Sequence, residues 1–159
     1  MRIIAISDTH SAGLSQALIE DIRKADLVVH VGDFCDIDVF NRLKVLKDIR
    51  AVYGNMDGLD LRGLLPRKAI FKCEGVTVGL FHGEGGPDRL VDKIKLAFAR
   101  DKVDVVVFGH SHQVFNEVID GVLYFNPGSP TDTFRAPFRS YGVLEVHGES
   151  VKAMIVKVK

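Results

Sequence analysis

Five short segments carry residue types that hold metal ions or move protons: Asp8-Thr9-His10, Gly32-Asp33, Gly54-Asn55-Met56-Asp57, His82-Gly83 and Gly109-His110-Ser111-His112. Asp8, His10, Asp33, Asn55, His82, His110 and His112 supply carboxylate, amide and imidazole donors, with no thiolate among them. One transition ion takes about four to six such ligands, so seven donors suit two ions that share a bridging carboxylate. Asp8 and His10 are separated by one residue, as are His110 and His112. In extended chain, residues i and i+2 point to the same side, so each pair is expected to face one cavity.

Each donor also has a plain reading. A lone Asp after a strand serves most often as a helix N-cap, and Asp8 or Asp33 taken singly fits that description. A lone His is more often a satisfied core or surface residue than a ligand. His30 lies inside the strand-like run LVVHV and reads as core, while His147 beside Gly148 reads as an exposed turn residue. Capping does not account for ligand-type residues at five separate strand ends.

Those strand ends follow from the apolar pattern. RIIAIS (2–7), LVVHV (27–31) and IRAVY (49–53) read as buried strands. Between them, Leu14, Leu18 and Ile22 mark a helix over 14–24, and Val39, Phe40, Leu43 and Leu46 mark another over 37–47. This alternation predicts parallel strands joined by crossover helices. KAIFKCEGVTVGLFHG reads as two strands about a Glu-Gly turn, and Pro87 opens a helix to about Arg100. VDVVVFG, FNEVID, VLYFN, YGVLEV and VKAMIVKV are further strands, with turns at Asp120-Gly121 and His147-Gly148. The last alternates Val and Lys, as an edge strand does, so pairing with a second copy at 151–158 is one expectation. The carboxyl ends of strands in such α/β chains meet in one crevice, where ligands bind. Glycine beside most of the donors suits tight turns and close backbone approach.

The 159 residues are sized for one domain over 1–159, with 47 % hydrophobic and 26 % charged residues, as in soluble globular proteins. Basic and acidic residues balance at 21 each, so the total charge shows no footprint for nucleic acid. No apolar run approaches the 18 or so residues of a membrane helix, and MRIIAISDTH lacks the features of a signal peptide. A cytoplasmic chain is therefore expected, with Cys35 and Cys73 as free thiols.

The ordered set DTH, GD, GNMD, HG and GHSH, followed by NPGS (126–129), resembles the calcineurin-like metallophosphoesterases. Within them it is similar to the small, compact phosphodiesterases of bacteria and archaea. The resemblance implies an α/β four-layer sandwich: two mixed β-sheets face to face, flanked by helices. It implies that Asp8, His10 and His112 hold one metal, that Asn55, His82 and His110 hold the other, and that Asp33 bridges them. Mn²⁺ or Ni²⁺ is the expected ion, with Fe, Co²⁺ or Zn²⁺ as alternatives to the pair. The implied chemistry is in-line attack of a bridging hydroxide on phosphorus, with Asn55 also donating to the phosphate. A small phosphodiester is the expected substrate. The competing expectations are a phosphomonoesterase or nuclease on the same site, and a protein-interaction scaffold of the same fold.

One motif departs from the family pattern. Many members carry histidine in the third motif, where it is thought to protonate the leaving group. Here that position is Met56, whose thioether has no proton to give. Asp57 is then expected to orient a neighbour or the site's water. Beyond NPGS, Arg135 is the expected phosphate contact, with Arg139 as the alternative.

Overall fold

The computed structural model describes residues 1–158. Ten strands form two five-stranded sheets. The first is built from β1 (Arg2–Ile6), β2 (Leu27–His30), β3 (Ile49–Ala51), β9 (Ser140–His147) and β10 (Ser150–Lys157), in the order β10-β9-β1-β2-β3. The second contains β4 (Lys68–Cys73), β5 (Val76–Phe81), β6 (Val105–Val107), β7 (Phe115–Ile119) and β8 (Val122–Asn126), in the order β4-β5-β6-β8-β7. Both are mixed. β1-β2-β3 and β5-β6-β8 run parallel, and β9, β10, β4 and β7 pair antiparallel.

Residue alternation along each strand explains the layering. In β1, Ile3 and Ala5 point between the sheets, while Ile4 and Ile6 face the outer helices. Val105 and Val107 of β6 join the same inter-sheet core, and Val106 faces the other way. Helices α1 (Gln16–Lys24) and α2 (Ile37–Leu46) cover the first sheet through Leu18, Ile22, Phe40 and Leu43. Helix α4 (Leu90–Ala97) covers the second through Leu90 and Ile94. The architecture is thus helix, sheet, sheet, helix, as expected.

The boundaries differ in instructive places. Helix α1 starts two residues later than its apolar stripe, because the Ser15 hydroxyl caps it by accepting from Leu18 N–H at 3.3 Å. Pro87–Arg89 form a turn of 3-10 helix, and α4 ends at Ala97 rather than near Arg100. A six-residue helix, α3 (Leu59–Leu64), was not expected; only Leu61 of its short span is buried, too little for a periodic signal. The Val/Lys strand β10 is indeed an edge, paired on one side only. Both cysteines are free. Among the described residues, no helix is long and apolar enough to cross a membrane.

Candidate metal centre

Strands β1, β2, β3, β5 and β6 deliver their donors to one end of the two sheets, and five of the seven donors do not sit in extended chain. Asp8 (φ 56°), His10 (45°), Asp33 (59°), His110 (71°) and His112 (59°) are all left-handed. For residues other than glycine this conformation costs roughly 1–2 kcal/mol each. The expectation that i and i+2 converge because the chain is extended is therefore corrected. Left-handed turns aim the side chains, and cross-strand bonds hold those turns. Asp8 N–H donates to Gly32 O at 3.0 Å, His10 N–H to Asp33 O at 3.1 Å, and Gly109 N–H to His82 O at 3.0 Å. Non-glycine strain gathered at one spot is characteristic of functional sites. Two glycines make room for it. A Cβ at Gly109 would lie 2.8 Å from Asp8 Oδ2, and one at Gly54 would lie 2.8 Å from Asp33 Cγ.

All seven expected donors come together, in two overlapping groups. His112 Nε2 is 3.3 Å from Asp8 Oδ1 and 3.2 Å from His10 Nε2. His82 Nε2 is 3.3 Å from Asp33 Oδ2, 3.1 Å from Asn55 Oδ1 and 3.9 Å from Asp8 Oδ1. His110 Nδ1 is 2.9 Å from Asn55 Oδ1. The two tight carboxylate–imidazole groups are Asp8-His10-His112 and Asp8-Asp33-His82, so the residue common to both is Asp8.

The hydrogen bonds on the far side of each ring decide what the near side presents. His82 Nδ1 lies 2.7 Å from Val31 O, and His110 Nε2 lies 2.8 Å from Gly85 O. A carbonyl only accepts, so both nitrogens carry the proton. His112 Nδ1 is bonded to the Asp132 carboxylate. In their neutral forms, then, His82 Nε2, His110 Nδ1 and His112 Nε2 present lone pairs to Asp8 Oδ1, Asp33 Oδ2 and Asn55 Oδ1, which are acceptors too. Electron pairs facing electron pairs repel unless a cation or a proton lies between them. Asp8 Oδ1 is buried without any hydrogen-bond partner, although its Oδ2 accepts from Ser7 Oγ at 2.5 Å and His110 N–H at 3.1 Å. A buried unpaired carboxylate oxygen is costly unless an ion satisfies it. These residues fit divalent metal ions.

The charges of the site follow the same pattern. Burial lowers the proton affinity of His82 and His112. The carboxylates beside them, Asp33 and Asp8 for His82 and Asp8 and Asp132 for His112, outweigh burial and raise both. Asp132 is penalised by burial, yet the amides of Phe134 and Arg135 and the His112 ring bring it down to about 2. Burial, aided by the charges of Asp33, Asp57 and Asp8, pushes the Cys35 thiol up to about 11. It lies 3.2 Å from His10 Nδ1, on the side of that ring away from His112.

Other residues hold the donors from behind. Asp57 is buried, and its carboxylate accepts from Asp33 N–H at 3.0 Å, Gly54 N–H at 2.7 Å and Cys35 N–H at 2.8 Å. Asp33 Oδ1 in turn accepts from Met56 N–H at 2.8 Å, which leaves Oδ2 for the rings. NPGS acquires a purpose. Asn126 Nδ2 donates to Gly109 O at 2.9 Å, and Ser129 Oγ donates to Asp8 O at 2.7 Å while accepting from Asp132 N–H at 3.0 Å. Asp132 was missed in the sequence. It sits beyond NPGS in a loop without periodicity, and its only signal is a carboxylate three residues after Ser129.

The neighbouring positions divide. Arg135 lines a hollow of about 330 Å³ with His10, Met56 and His112. Arg139 does not line it, and its carbonyl accepts from Val158 N–H. His30 is core: fully buried, stacked on Phe34 at 3.5 Å between ring centres, and kept neutral chiefly by burial. His147 is exposed at the end of β9.

Comparison with known proteins agrees with this picture. Residues 1–149 match the family model described as "Calcineurin-like phosphoesterase superfamily domain". A "Probable metallophosphoesterase" of Methanocaldococcus jannaschii is 35 % identical, over 100 % of this chain and 82 % of its own. A protein of the same organism named "Phosphodiesterase" is 27 % identical, over 80 % of this chain and 83 % of its own. The solved structure of "Vacuolar Protein Sorting 29" from Cryptosporidium parvum superposes with a TM-score of 0.84 at 19 % identity, over 99 % of this chain and 91 % of that one, a likeness of fold. The matched span includes every strand end that supplies a donor, and the chain belongs to the calcineurin-like phosphoesterase superfamily, with probable metallophosphoesterases among its relatives.

Proposed function

We propose that the protein is a phosphodiesterase that works with two divalent metal ions. The observation that carries this reading is the set of lone pairs converging on the unpartnered Asp8 Oδ1. Asp8, His10 and His112 would hold one ion, Asn55, His82 and His110 the other, and Asp33 would be the carboxylate shared between them. When bound, such a pair supplies a water of lowered pKa and positive charge to oppose the phosphoryl oxygens. Mn²⁺ and Ni²⁺ suit the nitrogen and oxygen donors. The chain's own residues do the rest. Asn55 has a free amide to donate to a phosphoryl oxygen, and Arg135 offers a guanidinium from the hollow beside His112. Asp57 is a positioning residue, since its oxygens are taken by backbone amides. The test is hydrolysis of bis-p-nitrophenyl phosphate after chelation, with Mn²⁺ or Ni²⁺ restored. No turnover with either ion sinks the reading, and faster cleavage of p-nitrophenyl phosphate makes it a monoesterase.

Distance favours Asp8 as the shared carboxylate, while the family resemblance favours Asp33. Metal content separates the two. The variant that loses the bridge, Asp33→Ala in our reading, retains neither ion, and Asp8→Ala retains one.

Met56 carries a prediction of its own. Its side chain is 59 % exposed at the rim of the Arg135 hollow and has no proton to donate. Turnover is therefore expected to fall steeply as the leaving-group pKa rises across a series of aryl phosphodiesters. A flat series would show that some other residue acts as the acid.

Asp132→Asn tests the support behind His112. The carboxylate sets the ring's tautomer and raises its basicity. Partners of this kind are worth about 10- to 100-fold in metal affinity. The expected outcome is a weaker rise in melting temperature with added Mn²⁺, at an almost unchanged melting point without metal. Equal metal titrations for variant and wild type would remove Asp132 from the site.

A further inference from the structure

The surroundings of the donors are unequal in charge. On the His10–His112 side, the hollow carries one arginine, Arg135, and Asp132, whose carboxylate is bonded to His112. On the Asn55–His82 side, a hollow of about 270 Å³ is lined by Tyr53, Arg62, Arg67 and Glu84. A second hollow of about 480 Å³ shares Arg67, Phe81 and Glu84 with the first and adds Lys68 and Lys93. The two form one lane leading away from the donors. Along it, Arg62, Arg67 and Lys93 face a single carboxylate, Glu84. Lys68 is engaged by Asp101 at 2.7 Å. This concentration of positive charge occurs in a chain whose basic and acidic residues cancel.

The two arginines are held in place. Arg62 donates from Nε to Asp57 O and from Nη2 to Asn55 O, each at 2.8 Å, and lies over the Tyr53 ring at 5.5 Å. It is therefore tied to the same loop that presents Asn55. Arg67 lies over the Phe81 ring at 5.6 Å and is paired with Glu84. That pair is more than half exposed on both sides, so it binds weakly and an incoming anion can replace it. Among the described residues, Lys93 has no ion-pair partner. Fixed guanidiniums match the oxygens of a phosphate and lose little freedom in binding one.

We propose that this lane binds a second phosphate group, carried on one arm of the phosphodiester substrate. The proposal rests on the phosphodiesterase reading and narrows its substrate class to diesters with a further phosphate. The arm points from the Asn55–His82 side towards Arg67 and Lys93. The uncharged arm, or the smaller one, lies on the Met56 side.

Two chromogenic esters test this on the metal-loaded protein: the p-nitrophenyl ester of thymidine 5′-phosphate and the same ester bearing a 3′-phosphate. Both release p-nitrophenol from the same bond. The phosphorylated ester is expected to have a kcat/KM about tenfold higher, through KM, as fits one added charge-assisted contact. That ratio falls towards one in Arg67→Ala/Lys93→Ala. It rises in Glu84→Gln, which removes the competing carboxylate, and it shrinks with added salt. Equal kcat/KM for the two esters, or a ratio that neither variant moves, overturns the subsite and leaves the phosphodiesterase reading standing. If neither ester nor bis-p-nitrophenyl phosphate is cleaved, the underlying reading fails instead. Calorimetry then still decides the lane, since it requires thymidine 3′,5′-bisphosphate to bind more tightly than thymidine 5′-monophosphate, and equal binding refutes it.

Discussion

Asp33→Ala protein, chelated and reloaded with Mn²⁺, is expected to hydrolyse bis-p-nitrophenyl phosphate at least about 10³-fold more slowly than wild type. Bound metal contributes several kcal/mol to stabilising charge in a phosphoryl transition state, and about 1.4 kcal/mol is a factor of ten. As the proposed bridge, Asp33 serves both ions. Unfolding is the obvious confounder, because Asp33 Oδ1 also receives Met56 N–H. Asp33→Asn removes that objection. Its amide oxygen keeps the Met56 bond while the negative charge is lost. The Asn variant is therefore expected to melt close to wild type and still lose metal-stimulated turnover. If it retains the wild-type rate, the two-ion site is wrong.

The second large effect is on stability. Asp57→Ala is expected to destabilise the fold by about 4.5–9 kcal/mol, because each hydrogen bond from a buried amide to a charged acceptor contributes about 1.5–3 kcal/mol. Three amides, those of Asp33, Cys35 and Gly54, lose their acceptor together. The residue is only 3 % exposed, so water replaces the carboxylate poorly. Typical domains are stable by about 5–15 kcal/mol in total, which makes this loss a large fraction. Urea melts check it. The midpoint falls while the slope stays as in wild type, because the surface exposed on unfolding is unchanged. A change under about 1 kcal/mol would mean that the loops of β2 and β3 find other partners. Metal affinity is expected to fall as well, since the same amides orient the Asp33 loop.

The strands and the donors were readable for a common reason. Val and Ile runs such as VVV (105–107) bury on both faces, and the chain must leave the sheet where polar residues begin. The ends of β1, β2, β3, β5 and β6 are therefore marked by the seven candidate donors. Helix α3 was not readable. Its six residues bury a single leucine, and the turn is held by Arg62 N–H to Gly58 O and by Leu65 N–H to Leu61 O. Asp132 was also hidden, because what makes it significant is a bond to His112, 20 residues away in sequence.

The amino-acid sequence by itself determined which atoms are available: seven oxygen and nitrogen donors, the apolar strands that carry them, and a thioether at Met56 where an acid is common. Donor type and strand burial are local properties, so no partner is needed to read them. The tertiary structure decided how those atoms are aimed. Left-handed turns at Asp8, His10, Asp33, His110 and His112 depend on bonds between strands distant in sequence. So does each ring's tautomer, set by Val31, Gly85 or Asp132. The cationic lane of Arg62, Arg67 and Lys93 is likewise a product of folding. Its residues come from α3, the segment before β4, and α4, and only packing places Arg62 and Arg67 beside Asn55 and His82, with Lys93 in the adjoining hollow.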